Sequence, residues 1–248
     1  MFQTYRTSGV PDWILRCRRS VEDWAATRGY DYRFYDDEFF SVGPDWLKAK
    51  SQKSILPLTD FCRLIWIQRL LDEGFERVIW MDIDLLIFDP DRFELTAGPR
   101  GFSLTREISV YAKDGGVRAD ERVNNSIMLF ERRNGFLSFY TDAALELAQA
   151  AAGQLRSAQL GTYFLTAQHQ LARLPLHRHV GCFAPNLLKG LYHQQSAWVD
   201  AYRMATGGPV RAANLCRSLA AGGAEPMTDA MCDVVVGRLI DSRGQLVN

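Results

Sequence analysis

The sequence predicts an α/β fold in which helices flank a mixed, mostly parallel central sheet. Two stretches support this prediction: a strand–helix–strand order at the start of the chain, and a helix followed by a long apolar run over 59–88. With 248 residues, of which 47% are apolar, the chain is long enough to bury a sizeable core. No linker interrupts it, so we expect one domain over 1–248.

The opening elements follow from hydrophobic periodicity. Phe2–Tyr5 predicts a short strand, and apolar residues at helical spacing predict a helix from Trp13 to about Arg28. Alternating aromatic and charged residues predict a second strand over 30–35.

The central elements carry clearer boundaries. Thr59 is expected to cap a helix that has Asp60 in its first turn and ends at Gly74. Val78–Phe88 then predicts a single strand that is buried on both faces. Strands over 101–105 and 126–130, a helix over about 137–152 and a less regular, loop-bearing remainder follow. In that remainder, the glycine pairs at 207–208 and 222–223 are expected to form turns or to hinge a loop.

Composition excludes several classes of function. The 29 basic and 29 acidic residues leave no basic excess, which argues against a nucleic-acid partner. The sequence has no apolar run that could span a membrane and does not begin like a signal peptide, so we expect a cytoplasmic protein with peripheral contact to the inner face of the membrane. The five scattered cysteines form no CxxC pair, and we expect buried small side chains rather than a zinc site.

Asp82 and Asp84 interrupt the apolar run and are the sharpest chemical feature of the chain. On an ideal strand they would share one face, and burying unpaired charge is costly, so we expect them where the strand leaves the sheet at its carboxyl edge. Two neighbouring carboxylates repel each other unless a cation compensates, and Mg²⁺ or Mn²⁺ bound to substrate phosphates fits that need. The alternative is structural: one aspartate caps a turn and the other pairs with an arginine.

The surrounding residues extend the pattern. Asp60 and Arg63 lie one helical turn apart and can face one site together, or can form a surface ion pair. The series Asp-x-x-Arg, a glycine, an aromatic residue and Asp-x-Asp resembles the nucleotide-sugar signature of GT-A glycosyltransferases, whose fold is Rossmann-like. It is most similar to the sugar-binding-region DXD family, which includes bacterial capsule and lipooligosaccharide transferases and α-1,4-sugar transferases. Glycogenin-like enzymes and glucosylating toxins have related patterns.

The resemblance covers most of the chain and is most specific over 60–84. Phe2–Tyr5 resembles the first strand of the family, Val123–Met128 its asparagine-bearing strand, and Gly161–Thr166 its Gly-x-x-x-Leu-Thr segment. The resemblance divides the domain into a nucleotide-sugar-binding part over 1–130 and an acceptor-side part over 131–248.

The resemblance also implies roles for single residues. Asp84 binds the metal directly, and Asp82 reaches it through water or contacts the ribose or donor sugar. The other donor-binding residues implied are Gln3, Thr4, Tyr5, Asp60, Arg63 and Asn125. For Tyr5, which would stack on the base, a core aromatic is the alternative; for Asn125, the competitors are Asn124 and Ser126.

One position departs from the family. Related enzymes supply a third metal ligand from a C-terminal histidine, and Asn214 stands at the matching place. An amide oxygen can still bind a hard cation. This departure leaves open a protein with weakened metal binding or one that has lost catalysis.

The sequence therefore predicts a metal-dependent hexosyltransferase of polysaccharide biosynthesis. It would move sugar, with retention, from a nucleotide-sugar donor such as a UDP-sugar to a glycan or lipid-linked acceptor. Two alternatives stay open: a catalytically decayed nucleotide-sugar-binding protein, and a nucleotidyltransferase. For the second, Gly9-Val10-Pro11 is a poor substitute for the glycine-rich phosphate loop that such enzymes carry.

Overall fold

A computed structural model describes residues 1–217 and 227–248. Its strands are β1 (Phe2–Thr4), β2 (Arg33–Tyr35), β3 (Arg77–Met81), β4 (Leu85–Ile87), β5 (Phe102–Lys113), β6 (Gly116–Glu131), β7 (Leu176–His177), β8 (Val180–Cys182) and β9 (Ala212–Asn214). Its α-helices are α1 (Asp12–Thr27), α2 (Asp45–Lys50), α3 (Leu56–Asp72), α4 (Gly135–Ala150), α5 (Phe164–Ala172), α6 (Pro185–His193), α7 (Ser196–Thr206) and α8 (Asp229–Asp241). Short 3₁₀ turns cover Asp37–Val42 and Gln245–Val247, and a π-helical segment covers Gln159–Tyr163.

A central sheet of six strands has the order β2-β1-β3-β6-β5-β7. β1 pairs in parallel with β2 and β3, β7 pairs in parallel with β5, and β6 lies antiparallel to both β3 and β5. Five of its strands therefore share one direction, and helices pack on both faces. This arrangement confirms the predicted α/β class with a mixed, mostly parallel sheet.

The two faces of β3 and β6 bury alternate residues. Val78, Trp80 and Met128 join a cluster with α3 and α4, whereas Ile79 and Ile127 join a cluster with α1 on the opposite face. This alternation explains why β3 is apolar from Val78 to Met81, because a central strand covered on both sides has no solvent face there.

The prediction of one strand over Val78–Phe88 was wrong. β3 ends at Met81, and β4 belongs to a second sheet with the order β4-β9-β8. The Leu85 amide donates to the Asp82 carbonyl over 3.1 Å and closes a turn between the two strands. The two aspartates lie in this turn and not along one strand face, since a turn spares their carboxylates full burial in the sheet.

The predicted start of the central helix was also wrong. α3 begins at Leu56, with Pro57 in its first turn, a position that suits proline because no amide donor is needed there. Thr59 therefore lies inside the helix, where its hydroxyl donates to the Ile55 carbonyl over 3.1 Å, and Asp60 falls beyond the first turn. Gly74 does follow the end of the helix, with φ of 115° and its amide bonded to Leu71.

β5 and β6 are much longer than predicted, because they form a hairpin that extends beyond the rest of the sheet. The hairpin turns at Asp114 and Gly115, whose φ angles of 51° and 75° suit a tight two-residue turn. The glycine pair at 207–208 follows α7, and Gly207 ends that helix with φ of 65°, whereas the pair at 222–223 lies outside the described residues. Among residues 1–217 and 227–248, no helix combines the length and apolar character needed to cross a bilayer.

Candidate functional site

The candidate site lies where β3 leaves the central sheet and β4 enters the second sheet. The Asp82 amide donates to the Ser126 carbonyl of β6 over 2.8 Å, which fixes the turn against the central sheet. On the other side, the Leu215 amide after β9 donates to the Asp84 carbonyl over 2.9 Å. Asp82 and Asp84 therefore lie at the carboxyl end of β3, between the two sheets.

Asp82 is held from three directions. Its Oδ1 accepts hydrogen bonds from Trp80 Nε1 at 2.8 Å and from Arg63 Nη1 at 3.2 Å. Its Oδ2 faces Asn214 Nδ2 at 3.4 Å. The side chain is still 24% exposed, so the carboxylate borders open space while its orientation is fixed. In the structural alternative considered for the sequence, one of the two aspartates pairs with an arginine. Asp82 forms such a pair with Arg63.

Asp60 and Arg63 form a buried pair, which overturns the alternative of a surface ion pair. Arg63 Nη2 lies 3.1 Å from Asp60 Oδ1, and the two side chains are only 4% and 7% exposed. Arg63 Nη1 also donates to the Asn125 carbonyl over 2.8 Å, and Asn125 Nδ2 donates to Asp60 Oδ1 over 2.9 Å. The guanidinium lies over the Trp80 ring at 4.6 Å, so α3, β3 and β6 are tied together at one point.

Gly161 of the π-helical segment closes this cluster from a third side. A Cβ at this position would lie 2.7 Å from Asn125 Nδ2 and 2.8 Å from Asp60 Oδ2. Both distances are shorter than a Cβ atom keeps from other heavy atoms. The backbone can come this near to the two polar groups only because glycine has no side chain.

Asp84 contrasts with Asp82. Within the described part of the chain, its carboxylate accepts no hydrogen bond from another residue and forms no ion pair. Nearby, Asn214 is 4% exposed, and its Oδ1 is a buried oxygen without a hydrogen-bond partner among the described residues. An uncompensated carboxylate and an unpartnered amide oxygen are therefore the acceptors left over in this site.

The electrostatics follow from burial. Burial raises the pKa of Asp60 to about 6, although Arg63 and the Asn125 hydrogen bond oppose the shift. Burial, together with repulsion by Asp82, raises the pKa of Asp84 to about 8. Burial also raises the pKa of Asp82, against the effects of Arg63, Trp80 and Asn214. With one guanidinium among them, the three carboxyl groups keep an excess of negative charge when ionised.

The residues present fit a hard divalent cation. Among residues 1–217 and 227–248, no group of three or more His, Cys, Asp or Glu side chains gathers as a metal site. The candidate ligands are instead the two carboxylates and the unpartnered Oδ1 of Asn214. All three are oxygen donors, the kind that Mg²⁺ and Mn²⁺ prefer.

Gln3, Thr4 and Tyr5 differ in their relation to the site. Gln3 is fully buried and donates from Nε2 to the Asp82 carbonyl over 2.9 Å, while its Oε1 accepts from Tyr32. Gln3 therefore fixes the backbone of the β3–β4 turn through the Asp82 carbonyl. The Thr4 hydroxyl donates to the Tyr35 carbonyl over 2.8 Å, and the Tyr5 ring packs beside the core, so the structure does not bring either side chain into the hydrogen-bonded cluster.

Sequence reasoning missed two contributors to the site and left the role of Asn124 open. Trp80 was expected only as the aromatic residue of the pattern, yet it orients Asp82 and stacks on Arg63. The close approach of Gly161 had no signal beyond a glycine in a resembling segment. Asn124, the competitor of Asn125, points away from the cluster and donates to the buried Glu107 over 2.9 Å, a pairing that no spacing in the sequence indicates.

Comparison with known proteins gives distant structural likenesses. No family model matches the chain, and no curated protein sequence does. One similar solved structure is a glycosyltransferase involved in the glycosylation of the major capsid of PBCV-1, at a TM-score of 0.48 and 11% identity, covering 96% of this chain and 98% of that one. Another is the PaToxG glycosyltransferase, at a TM-score of 0.43 and 13% identity, covering 99% of this chain and 86% of that one.

Proposed function

We propose that this protein is a glycosyltransferase that uses a nucleotide-sugar donor and a divalent cation. The observation that carries the proposal is the charge imbalance at the β3–β4 turn. Among the described residues, no other side chain pairs with the Asp84 carboxylate, whereas the Asp82 carboxylate accepts hydrogen bonds from several donors. The amide oxygen of Asn214 has no hydrogen-bond partner among these residues. Folding alone gains nothing from such an arrangement, whereas binding of a cation–diphosphate group would compensate it.

The proposed cation site consists of Asp84, Asp82 and Asn214. A Mn²⁺ or Mg²⁺ ion held there supplies positive charge for the leaving diphosphate of the donor. Asp84 is the direct ligand in this proposal, because its carboxylate is not engaged elsewhere in the described chain. Asp82 is oriented by Trp80 and Arg63 and acts through water or on the donor itself.

The chain's own residues bind and orient the sugar. Asp60 Oδ1 is occupied by Asn125 and Arg63, which leaves Oδ2, beside Gly161, as the oxygen able to accept from a sugar hydroxyl. Arg63 is fixed by five groups, so it presents its charge to the donor from a rigid position. The sequence resemblance adds three details to the proposal: the donor is a UDP-sugar, the transferred group is a hexosyl group, and transfer proceeds with retention.

The acceptor is proposed to be a glycan or a lipid-linked saccharide of a polysaccharide pathway. A lipid-linked acceptor would bring the protein to the inner face of a membrane by peripheral contact. The part over 131–248, which contains α4 to α8, is the proposed acceptor side.

One observation favours a second candidate, a protein that binds a nucleotide sugar without transferring it. The amide nitrogen of Asn214, not its oxygen, faces Asp82, and Arg63 already occupies Asp82 Oδ1. In this arrangement Arg63 and Asn214 compensate Asp82 without a metal ion. Binding that is independent of Mn²⁺ and not followed by hydrolysis or transfer would favour this candidate.

A thermal-unfolding screen with UDP-, GDP- and CMP-sugars, each with and without Mn²⁺ or Mg²⁺, tests the proposal. A ligand at a hundred times its Kd stabilises a fold by about 2.7 kcal/mol, which raises Tm by about 5–10 °C at this chain length. We expect a rise that needs both the cation and one class of nucleotide sugar. In Asn214→Ala, which removes the amide oxygen, the cation-dependent part of the rise should shrink. Absence of any shift in a folded sample would contradict the proposal.

A further inference from the structure

Two buried thiols lie in contact beside the candidate site. Cys182 ends β8, Cys216 follows β9, and their sulfur atoms are 3.0 Å apart. The two residues are 1% and 7% exposed. A disulfide bond is about 2.05 Å long, so joining the two sulfurs needs a movement of about 1 Å.

The pair is set apart from the other cysteines. Cys17, Cys62 and Cys232 are also buried, but in the part of the chain that the structure describes none of them has a second thiol within hydrogen-bonding distance. Proximity of the two sulfur atoms is the first geometric requirement for an intrachain disulfide, and Cys182 and Cys216 meet it.

The thiols are connected to Asn214 through the second sheet. Asn214 lies opposite Leu85 of β4 on one side and opposite Cys182 of β8 on the other. Its Nδ2 donates to Cys216 Sγ over 3.2 Å and faces Asp82 Oδ2 at 3.4 Å. Because β9 lies between β4 and β8, a pull on Cys216 toward Cys182 draws the end of β9 away from β4 and from the aspartates.

We infer that Cys182 and Cys216 form a reversible disulfide when the protein meets a peroxide, and that the bond moves Asn214 away from Asp82 and Asp84. Cys216, the less buried of the two residues, attacks the peroxide; the O–O bond breaks, and a sulfenic acid and one water form. The Cys182 sulfur then displaces the hydroxyl group as a second water. In total, two thiols lose two electrons and two protons, and one hydrogen peroxide becomes two waters. A small-molecule thiol reverses the bond by exchange.

Disulfide formation can be tested without any assumption about function. Trypsin releases Cys182 in the peptide 179–189 and Cys216 in the peptide 212–217, each with a single cysteine. After treatment of the full-length protein with hydrogen peroxide, we expect a cross-linked pair of these peptides that disappears on reduction. Cys182→Ala should lose the cross-link, and Cys232→Ala, the matched control, should keep it. Oxidation that yields only sulfinic acid, or pairs other cysteines, overturns the inference.

The effect on cation binding rests on the proposed function and has a separate readout. Titration of Mn²⁺ into reduced and oxidised protein should give about tenfold weaker binding after oxidation, the size typical of changes around a metal's ligands. Cys182→Ala should bind Mn²⁺ like the reduced protein before and after peroxide. If reduced protein does not bind Mn²⁺, the proposed function fails while the cross-link decides whether the disulfide exists. If the cross-link forms and Mn²⁺ binding does not change, the coupling to Asn214 is wrong.

Discussion

The short β4–β9 ladder has an aspartate cluster at each end, and the two clusters are built in opposite ways. At one end, Asp84 immediately precedes Leu85, which pairs with Asn214. At the other, Asp89 follows β4 and Arg211 precedes β9. We call the first the open cluster, which also includes Asp60, Asp82 and Arg63, and the second the closed cluster, which consists of Asp89, Arg92, Arg211 and Arg243.

The closed cluster has more positive than negative charge. The Asp89 side chain is 3% exposed; its Oδ2 lies 2.6 Å from Arg211, its Oδ1 lies 3.0 Å from Arg243, and Arg92 is within 3.8 Å. Arg243 also pairs with Asp91, which carries the contact toward the surface. Both oxygens of the buried carboxylate are compensated, so this cluster joins the C-terminal segment to the second sheet.

The open cluster has the reverse balance, with three carboxyl groups and one guanidinium. The same sheet, a few residues away, shows that arginines can neutralise a buried aspartate fully. The shortage of positive charge around Asp82 and Asp84 is therefore specific to this end of the ladder. We expect the positive charge of a ligand to bind there.

The largest expected effect is on stability, at the closed cluster. Asp89→Ala leaves Arg211 without its buried partner, and loss of one member of a buried pair costs about 3 kcal/mol or more. Tm should fall by about 6–12 °C in thermal unfolding. Asp91→Ala is the matched control, because Asp91 is 74% exposed and its removal should cost little. Equal losses in the two variants would show that Asp89 is not the centre of the cluster.

At the open cluster the expected effect is on activity instead. Asp84→Asn keeps the shape of the side chain and removes its charge, so transfer from the nucleotide sugar that stabilises the wild type should fall by about a hundredfold or more. Tm should stay the same or rise, since the burial that raises the pKa of Asp84 to about 8 also makes its charge costly. Transfer at the wild-type rate would rule out the metal-binding role.

A substitution at Gly161 tests whether the open cluster depends on the close approach of the backbone. In Gly161→Ala, the new Cβ would meet Asn125 Nδ2 and Asp60 Oδ2 and push them apart, so donor affinity should fall by about tenfold. Gly153→Ala is the control, because nothing lies within 4 Å of its Cβ position. Isothermal titration with the donor compares the two; equal affinities would show that Asp60 and Asn125 do not bind the sugar.

The sequence predicted what depends on local pattern. The apolar periodicity of α1 placed that helix to within about a residue, the apolar run placed the start but not the end of β3, and Gly74 marked the end of α3. The spacing predicted that Asp60 and Arg63 face one site, and the family resemblance implied that Asp82 belongs to the same site; the three side chains are in contact in the structure.

What the sequence could not predict depends on contacts between distant segments. The β3–β4 break follows from the pairing of Leu85 with Asn214, far along the chain. The β5–β6 hairpin was underestimated because its outer residues are charged, although Asp114-Gly115 is a recognisable turn signal. The burial of the Asp60–Arg63 pair depends on Asn125 and Gly161, which no i,i+3 spacing reveals.

The last expected effect is a pH dependence of stability that also separates the two clusters. The pKa of Asp60 rises from 3.8 to about 6 and that of Asp84 from 3.8 to about 8, so both groups hold more protons in the folded than in the unfolded state within those windows. Stability from these groups is therefore fully present below about pH 3.8 and is lost as pH rises through 6 and then 8.

Thermal unfolding in chelator-containing buffers from pH 5 to 9 measures this decline. Asp84→Asn should flatten the part of the curve between pH 6 and 8, because the group that titrates there is gone. Asp91→Ala, at the edge of the closed cluster, should leave the slope unchanged over the same range. Saturating Mn²⁺ should reverse the decline in the wild type and in Asp91→Ala but not in Asp84→Asn, since a cation binds the deprotonated carboxylates and the fold gains the binding free energy. A wild-type stability that rises between pH 6 and 8 without metal would mean that the open cluster is already neutralised by the protein itself.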